Sequence, residues 1–260
     1  MSRLQELFKD RGQKTLLMPY TTGGFPNMPE CRLILEAFIR GGADMIELGV
    51  PFSDPLADGP VVQSSTRQAL QQGIIPDDVF GLAREFSSRL PVVLLVYYNS
   101  VFSYGQEKFA AAAADAGVDG IIVPDLPVDE ADEFIETCRG HGVDPVLLVA
   151  PTTPDSRIAM VAEKASGFIY CVSVAGVTGA RASLDEQLPD FLGRVRKQTN
   201  IPLAVGFGVS EPEHAAVVAQ YADGVIIGSR LIKMVSDAES IETACREIEM
   251  FLRDVNQVLA

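Results

Sequence analysis

A recurring unit constrains this chain most. Eight short apolar runs follow one another: "TLLMPYT" (15–21), "DMIELG" (44–49), "PVVLLVYY" (91–98), "DGIIVPD" (119–125), "DPVLLVA" (144–150), "GFIYCVS" (167–173), "IPLAVGF" (201–207) and "DGVIIGS" (223–229). Each leads into a polar turn and a helix-like segment. Most are rich in Val, Ile and Leu with little alternation, as parallel strands buried on both faces require. Three share a lead-in of small residues and an aspartate, in "GGADMIELG", "AGVDGIIVPD" and "YADGVIIGS". Asp44, Asp119 and Asp223 therefore open strands at the end away from the βα loops, where turn formation is expected of them.

Eight such units in 260 residues, with no linker or low-complexity segment, point to one α/β domain over 1–260. Its expected form is a closed (β/α)8 TIM barrel, a fold of typically ~250 residues, with extra N-terminal and loop helices. An open doubly wound sheet is the competitor, but "GFGVSE" lacks the third glycine of a dinucleotide fingerprint. The charged start "MSRLQELFKDRGQK" repeats Leu4, Leu7 and Phe8 at helical spacing and reads as a short amphipathic helix, not a signal peptide.

The formal net charge of −14 disfavours nucleic acid as a partner. An anion could bind only at a local site of backbone N–H groups and helix N-termini. No apolar run reaches the ~18 residues of a membrane span, so no membrane role is expected. Cys31, Cys138, Cys171 and Cys245 are scattered without a C-x-x-C pair. They read as free buried thiols in a reducing compartment, the cytoplasm or, after loss of a transit peptide, an organelle stroma.

In barrels the chemistry sits where strands end, and here the chain places carboxylates. Side chains alternate along a strand, so Ile46 and Leu48 share one face and Met45 and Glu47 the other. If the first pair packs on helices, Glu47 points into the barrel mouth. Partly desolvated there, it should hold its proton to near-neutral pH; a buried, paired structural acid is the alternative. Asp54 and Asp58 follow in "GVPFSDPLADGP", a loop stiffened by Pro51, Pro55 and Pro60, where each could equally be a turn former. Asp125, in "VPDLP", is a further acid at the same rim, or equally the support of a loop or helix start. The last three strands end in the glycine-rich turns "SVAGVTGAR", "GFGVSEPE" and "GSRLIK", which together suit a phosphomonoester.

Absences narrow the chemistry. Lys9, Lys14, Lys108, Lys164, Lys197 and Lys233 all fall outside the strand runs, which argues against a Schiff base. His141 and His214 are the two histidines, in helix or turn contexts that make a His-ligated metal unexpected. Carbon–carbon or proton chemistry run by carboxylates on a phosphorylated substrate remains. A phosphosugar isomerase or epimerase and a non-catalytic phosphate-binding barrel are the rival classes.

The motifs "ELGVPFSDPLADGP", "VPDLPVDE", "AGVTGAR" and "GFGVSEPE", in this order along the chain, resemble the tryptophan synthase α-subunit family. The resemblance implies cofactor-independent, metal-free cleavage of indole-3-glycerol phosphate to indole and glyceraldehyde 3-phosphate. It implies that Glu47 is the general acid/base and Asp58 the second catalytic carboxylate, charged on a wet loop. Thr178 and Gly179 match a loop that closes over substrate. Gly179, Phe207, Gly208, Gly228 and Ser229 match phosphate and substrate contacts, and Tyr97 and Tyr170 the aromatic side of the pocket, with Asp125 beside them. Val174 departs from members that carry Arg there. The family also implies a pyridoxal-phosphate β subunit, in an α2β2 heterotetramer, meeting the loop that carries Asp58. A stand-alone lyase releasing free indole is the nearest alternative.

Overall fold

The computed structural model describes residues 1–172, 187–206 and 208–260. Strands β1 (Leu16–Thr22), β2 (Ile46–Gly49), β3 (Val92–Leu95), β4 (Gly120–Ile122), β5 (Asp144–Val149), β6 (Ile169–Val172), β7 (Leu203–Gly206) and β8 (Gly224–Ile227) form a closed barrel. Every strand pairs in parallel with its neighbours, and β8 closes onto β1 through Leu16 opposite Gly224. Helix α1 (Arg3–Asp10) precedes the barrel and α2 (Met28–Arg40) links β1 to β2. Then come α3 (Pro60–Gln71), α4 (Pro76–Phe86), α5 (Tyr98–Tyr104), α6 (Gln106–Asp115), α7 (Asp132–Gly140) and α8 (Asp155–Lys164). The last are α9 (Leu188–Arg196), α10 (Pro212–Val218), α11 (Ser229–Asp237) and α12 (Ile241–Leu259).

Local chemistry starts these helices. Ser2 and Gln5 cap α1 reciprocally, Gln5 N donating to Ser2 Oγ (3.3 Å) and Ser2 N to Gln5 Oε1 (3.1 Å). Asn27 Oδ1 accepts from Glu30 N (3.0 Å) at the head of α2, and Ser240 Oγ from Thr243 N (3.2 Å) at the head of α12. Pro60 opens α3, where a missing N–H costs nothing.

Strand parity sorts the apolar side chains into two cores. Leu17, Ile46, Leu48, Val92, Leu94 and Ile121 pack outward against the helices. Leu16, Met18, Met45, Val93, Ile122 and Val146 fill the barrel interior. Leu4 and Phe8 of α1 join that interior from below, with the Phe8 and Phe168 rings 5.6 Å apart. All four cysteines are buried, unpaired thiols.

At the lower end the three strand-opening aspartates do more than turn the chain. Asp44 Oδ2 accepts from Leu17 N (2.9 Å), Asp119 Oδ2 from Val92 N (2.9 Å) and Asp223 Oδ2 from Leu203 N (2.8 Å). Each aspartate thus satisfies a backbone donor of the preceding strand. Each also meets a cation: Lys14 at Asp44 (2.8 Å), Arg3 at Asp119 (3.4 Å), and Arg11 with Arg196 at Asp223.

Strands β3 and β4 stop well short of the ends of their apolar runs, at Leu95 and Ile122. Val96 N still donates to Ile122 O (2.9 Å), but Tyr98 N donates to Asp125 Oδ1 (2.8 Å) and Tyr97 becomes the N-cap of α5. The side-chain acceptor takes the N–H that a longer strand needs. β4 ends at Ile122, so Asp125 stands beyond it.

Candidate active site

Glu47 faces the barrel interior. Its neighbours Ile46 and Leu48 lie in the outer core, and the residue of like parity, Met45, in the inner one. In register it sits between Tyr20 on β1 and Val93 on β3. The side chain is buried, and its Oε2 finds no hydrogen-bond partner among the described residues. Desolvation, and next the Asp58 charge, push its pKa up to about 8.

A cavity of about 240 Å³ opens at the upper rim, with Asp58, Leu95, Pro124, Leu148, Tyr170 and Val172 on its walls. Glu47 is not on those walls. It pairs with Val93, one inward-facing step below Leu95 of the cavity wall. Its charge and that of Asp58 both act on the buried Tyr170 and Tyr20 phenols, which burial already drives well above their ordinary range.

Asp58 corrects the sequence expectation of a wet loop. It is 7 % exposed, and desolvation raises its pKa to about 6 against the opposing hydrogen bond from Tyr97. The loop folds back because Tyr97 Oη donates to Asp58 Oδ2 (3.0 Å) while accepting from Ala57 N (3.0 Å). Phe52, from the start of the same loop, stacks on Tyr97 with ring centroids 5.3 Å apart. Asp54 stays exposed. Asp125 is tied to Tyr98 N and supports the start of α5.

Glycines shape the interior in a way the sequence reading missed. A Cβ on Gly49 would lie 2.2 Å from Tyr20 Oη, and one on Gly206 2.1 Å from Tyr170 Oη. These glycines make room for phenols rather than for a ligand. Tyr20 itself was missed, although the alternation Leu16, Met18, Tyr20 marks its inward face. Its hydroxyl lies 3.4 Å from Thr22 Oγ1, which is 2.7 Å from Ser65 Oγ, a buried polar cluster beside Glu47.

The family model for the tryptophan synthase alpha chain matches residues 7–260. The chain belongs to the tryptophan synthase alpha chain family. It is 46% identical over 261 residues to the tryptophan synthase alpha chain of Roseiflexus sp. (strain RS-1), covering 98% of this chain and 99% of that one. The alpha chain of Dehalococcoides mccartyi is 42% identical over the full length of both. Among solved structures, Mycobacterium tuberculosis tryptophan synthase superposes with a TM-score of 0.91 at 35% identity, covering 99% of this chain and 98% of that chain. The alpha subunit from Legionella pneumophila superposes at 0.89 and 34% identity, covering 100% of this chain and 98% of that chain.

Of the residues that the family resemblance singles out, the structure gathers Glu47, Asp58, Tyr97 and Tyr170 at the upper half of the barrel. Gly228 caps α11, whose first turn holds no acidic residue, and Ser229 is its first residue. Gly208 adopts φ +89°, a backbone conformation that favours glycine. Thr178, Gly179, Phe207 and Val174 lie outside the described residues.

Proposed function

We propose that this chain cleaves indole-3-glycerol phosphate to indole and glyceraldehyde 3-phosphate, as the α component of tryptophan synthase in tryptophan biosynthesis. The observation that carries the reading is the pair of inward carboxylates. Buried Glu47, with an unpartnered oxygen, sits below a cavity walled by Asp58.

Neutral Glu47 delivers a proton to indole C3, which turns the ring into a leaving group. Positive character grows on the indole nitrogen, and ionised Asp58 accepts the ring N–H and stabilises it. Glu47, now a carboxylate, takes the proton of the glyceryl hydroxyl as the carbon–carbon bond breaks and the aldehyde forms. The acid is thereby restored, with no net proton consumed. Between the pKa of about 6 at Asp58 and about 8 at Glu47, one carboxyl is charged and the other neutral.

Leu95, Pro124, Leu148 and Val172 suit the indole ring. The phosphate falls to the N-terminus of α11 at Gly228 and Ser229, with Gly208 and Gly179 as further backbone contacts. Phe207 and Thr178 complete the substrate contacts in this reading, and Asp125 contributes by holding the rim. The reaction needs no cofactor or metal in this chain, which acts as one barrel domain. A pyridoxal-phosphate β subunit receives the indole in an α2β2 assembly, and the cytoplasm is the compartment. Leu56 and Phe102, exposed at 83% and 70% on the Asp58 loop and on α5, support a docking face there.

The test is indole release from indole-3-glycerol phosphate, with and without a β subunit. Glu47→Gln should lower turnover by about 10²–10⁴-fold with substrate binding nearly intact. A variant keeping more than about a tenth of the wild-type rate would refute the role of Glu47.

A further inference from the structure

We propose that Tyr97 is a positioning residue, a clamp that fixes the Asp58 carboxylate and the loop around it in working geometry. The proposal rests on the role of Asp58 given above. One phenol grips two successive loop residues, donating to the Asp58 carboxylate and accepting from the Ala57 backbone, each at 3.0 Å. Those two bonds together set the hydroxyl rotor: its hydrogen goes to Asp58 and a lone pair faces Ala57 N–H. Phe52 adds a third hold on the same loop by stacking on the ring at 24°.

Tyr97 is itself anchored. It is buried at 2% exposure as the N-cap of α5, and the next N–H, of Tyr98, is held by Asp125 at 2.8 Å. The constraint therefore runs from the end of β4 through the head of α5 to Asp58. The titratable groups that interact with Asp58 are Glu47 on β2, Tyr20 on β1, Tyr170 on β6 and Tyr97 before α5. Among the described residues Tyr97 is the one that hydrogen-bonds its carboxylate. Donation to the ionised form lowers the Asp58 pKa against desolvation. Without it the charged form is both less populated and less well aimed.

The test compares Tyr97→Phe with wild type, alone and in an Asp58→Asn background, on the full chain cleaving indole-3-glycerol phosphate. Tyr97→Phe should lower kcat about tenfold with KM little changed and move the acid limb of the kcat/KM profile to higher pH. In the Asp58→Asn background the same substitution should cost nothing further, because the clamped group is gone. An equal cost in both backgrounds, or an unmoved acid limb, overturns the clamp. A wild-type rate in Asp58→Asn alone instead overturns the role of Asp58, so the two failures are distinguishable. Phe52→Leu, which removes only the stacked ring, serves if Tyr97→Phe does not fold. It should lower kcat in the same direction by a smaller factor, and an unchanged kcat there counts against the clamp.

Discussion

Glu47 is expensive to keep. In the unfolded chain it ionises near its ordinary value of 4.5, whereas in the folded chain burial holds the proton to about 8. Between those values the folded state carries a proton that the unfolded state has released. Stability therefore falls as pH rises through that window and levels off above it. Glu47→Gln, isosteric with the neutral acid, escapes this penalty. Its melting temperature should match wild type at pH 4, exceed it increasingly up to pH 8, and then stay ahead by a constant margin. Calorimetry across that range checks the expectation, and a variant no more stable at pH 8 would mean that Glu47 is not held neutral. The inward aim of Glu47 was legible in the sequence, because parity along "MIEL" settles which face it shares. The burial of Asp58 was not, since it depends on Tyr97, 39 residues away in sequence, and on a loop fold that no local pattern encodes.

At the scale of elements, all eight strands could be read from their apolar runs, but their ends could not. At β3 a side-chain acceptor decided the end: Asp125 took the N–H of Tyr98 and began a helix where the run "VYY" still looked like strand. The strand-opening aspartates are a related case. Sequence alone suggests turns, while the contacts make each one a staple between adjacent strands. Asp223→Ala should leave Leu203 N unsatisfied in a buried place and cost about 1–3 kcal/mol in urea unfolding. The ion pairs lost with it add little, since Arg11 and Arg196 are partly exposed. Turnover should not change, because the staple is at the end of the barrel opposite the cavity. The glycines ending β2 and β7 were visible as glycines; that phenols occupy their missing Cβ positions was a long-range fact.

Across the whole molecule, framework and chemistry occupy opposite ends. The lower end is bound by aspartate staples and ion pairs, and the upper end holds the carboxylates, the cavity and the exposed Leu56 and Phe102. Leu56→Asp together with Phe102→Asp should weaken association with a β subunit by about tenfold or more. Circular dichroism of the isolated chain should stay unchanged. Titration of binding between the two purified chains checks this, and an unaltered affinity would place the docking face elsewhere. Residue patterning made the barrel readable at this scale, but not its two-ended division, which emerges only once strands are in register.

The way α1 enters the barrel bears on where products can go. Leu4 and Phe8 stopper the base, and above them Leu16, Met18, Met45, Phe168 and Ile226 are packed as buried side chains of the barrel interior. On the proposed reading, a small aromatic molecule freed beside Glu47 leaves upward, on the side of the exposed Leu56 and Phe102. A second protein seated on that face would then stand at the exit.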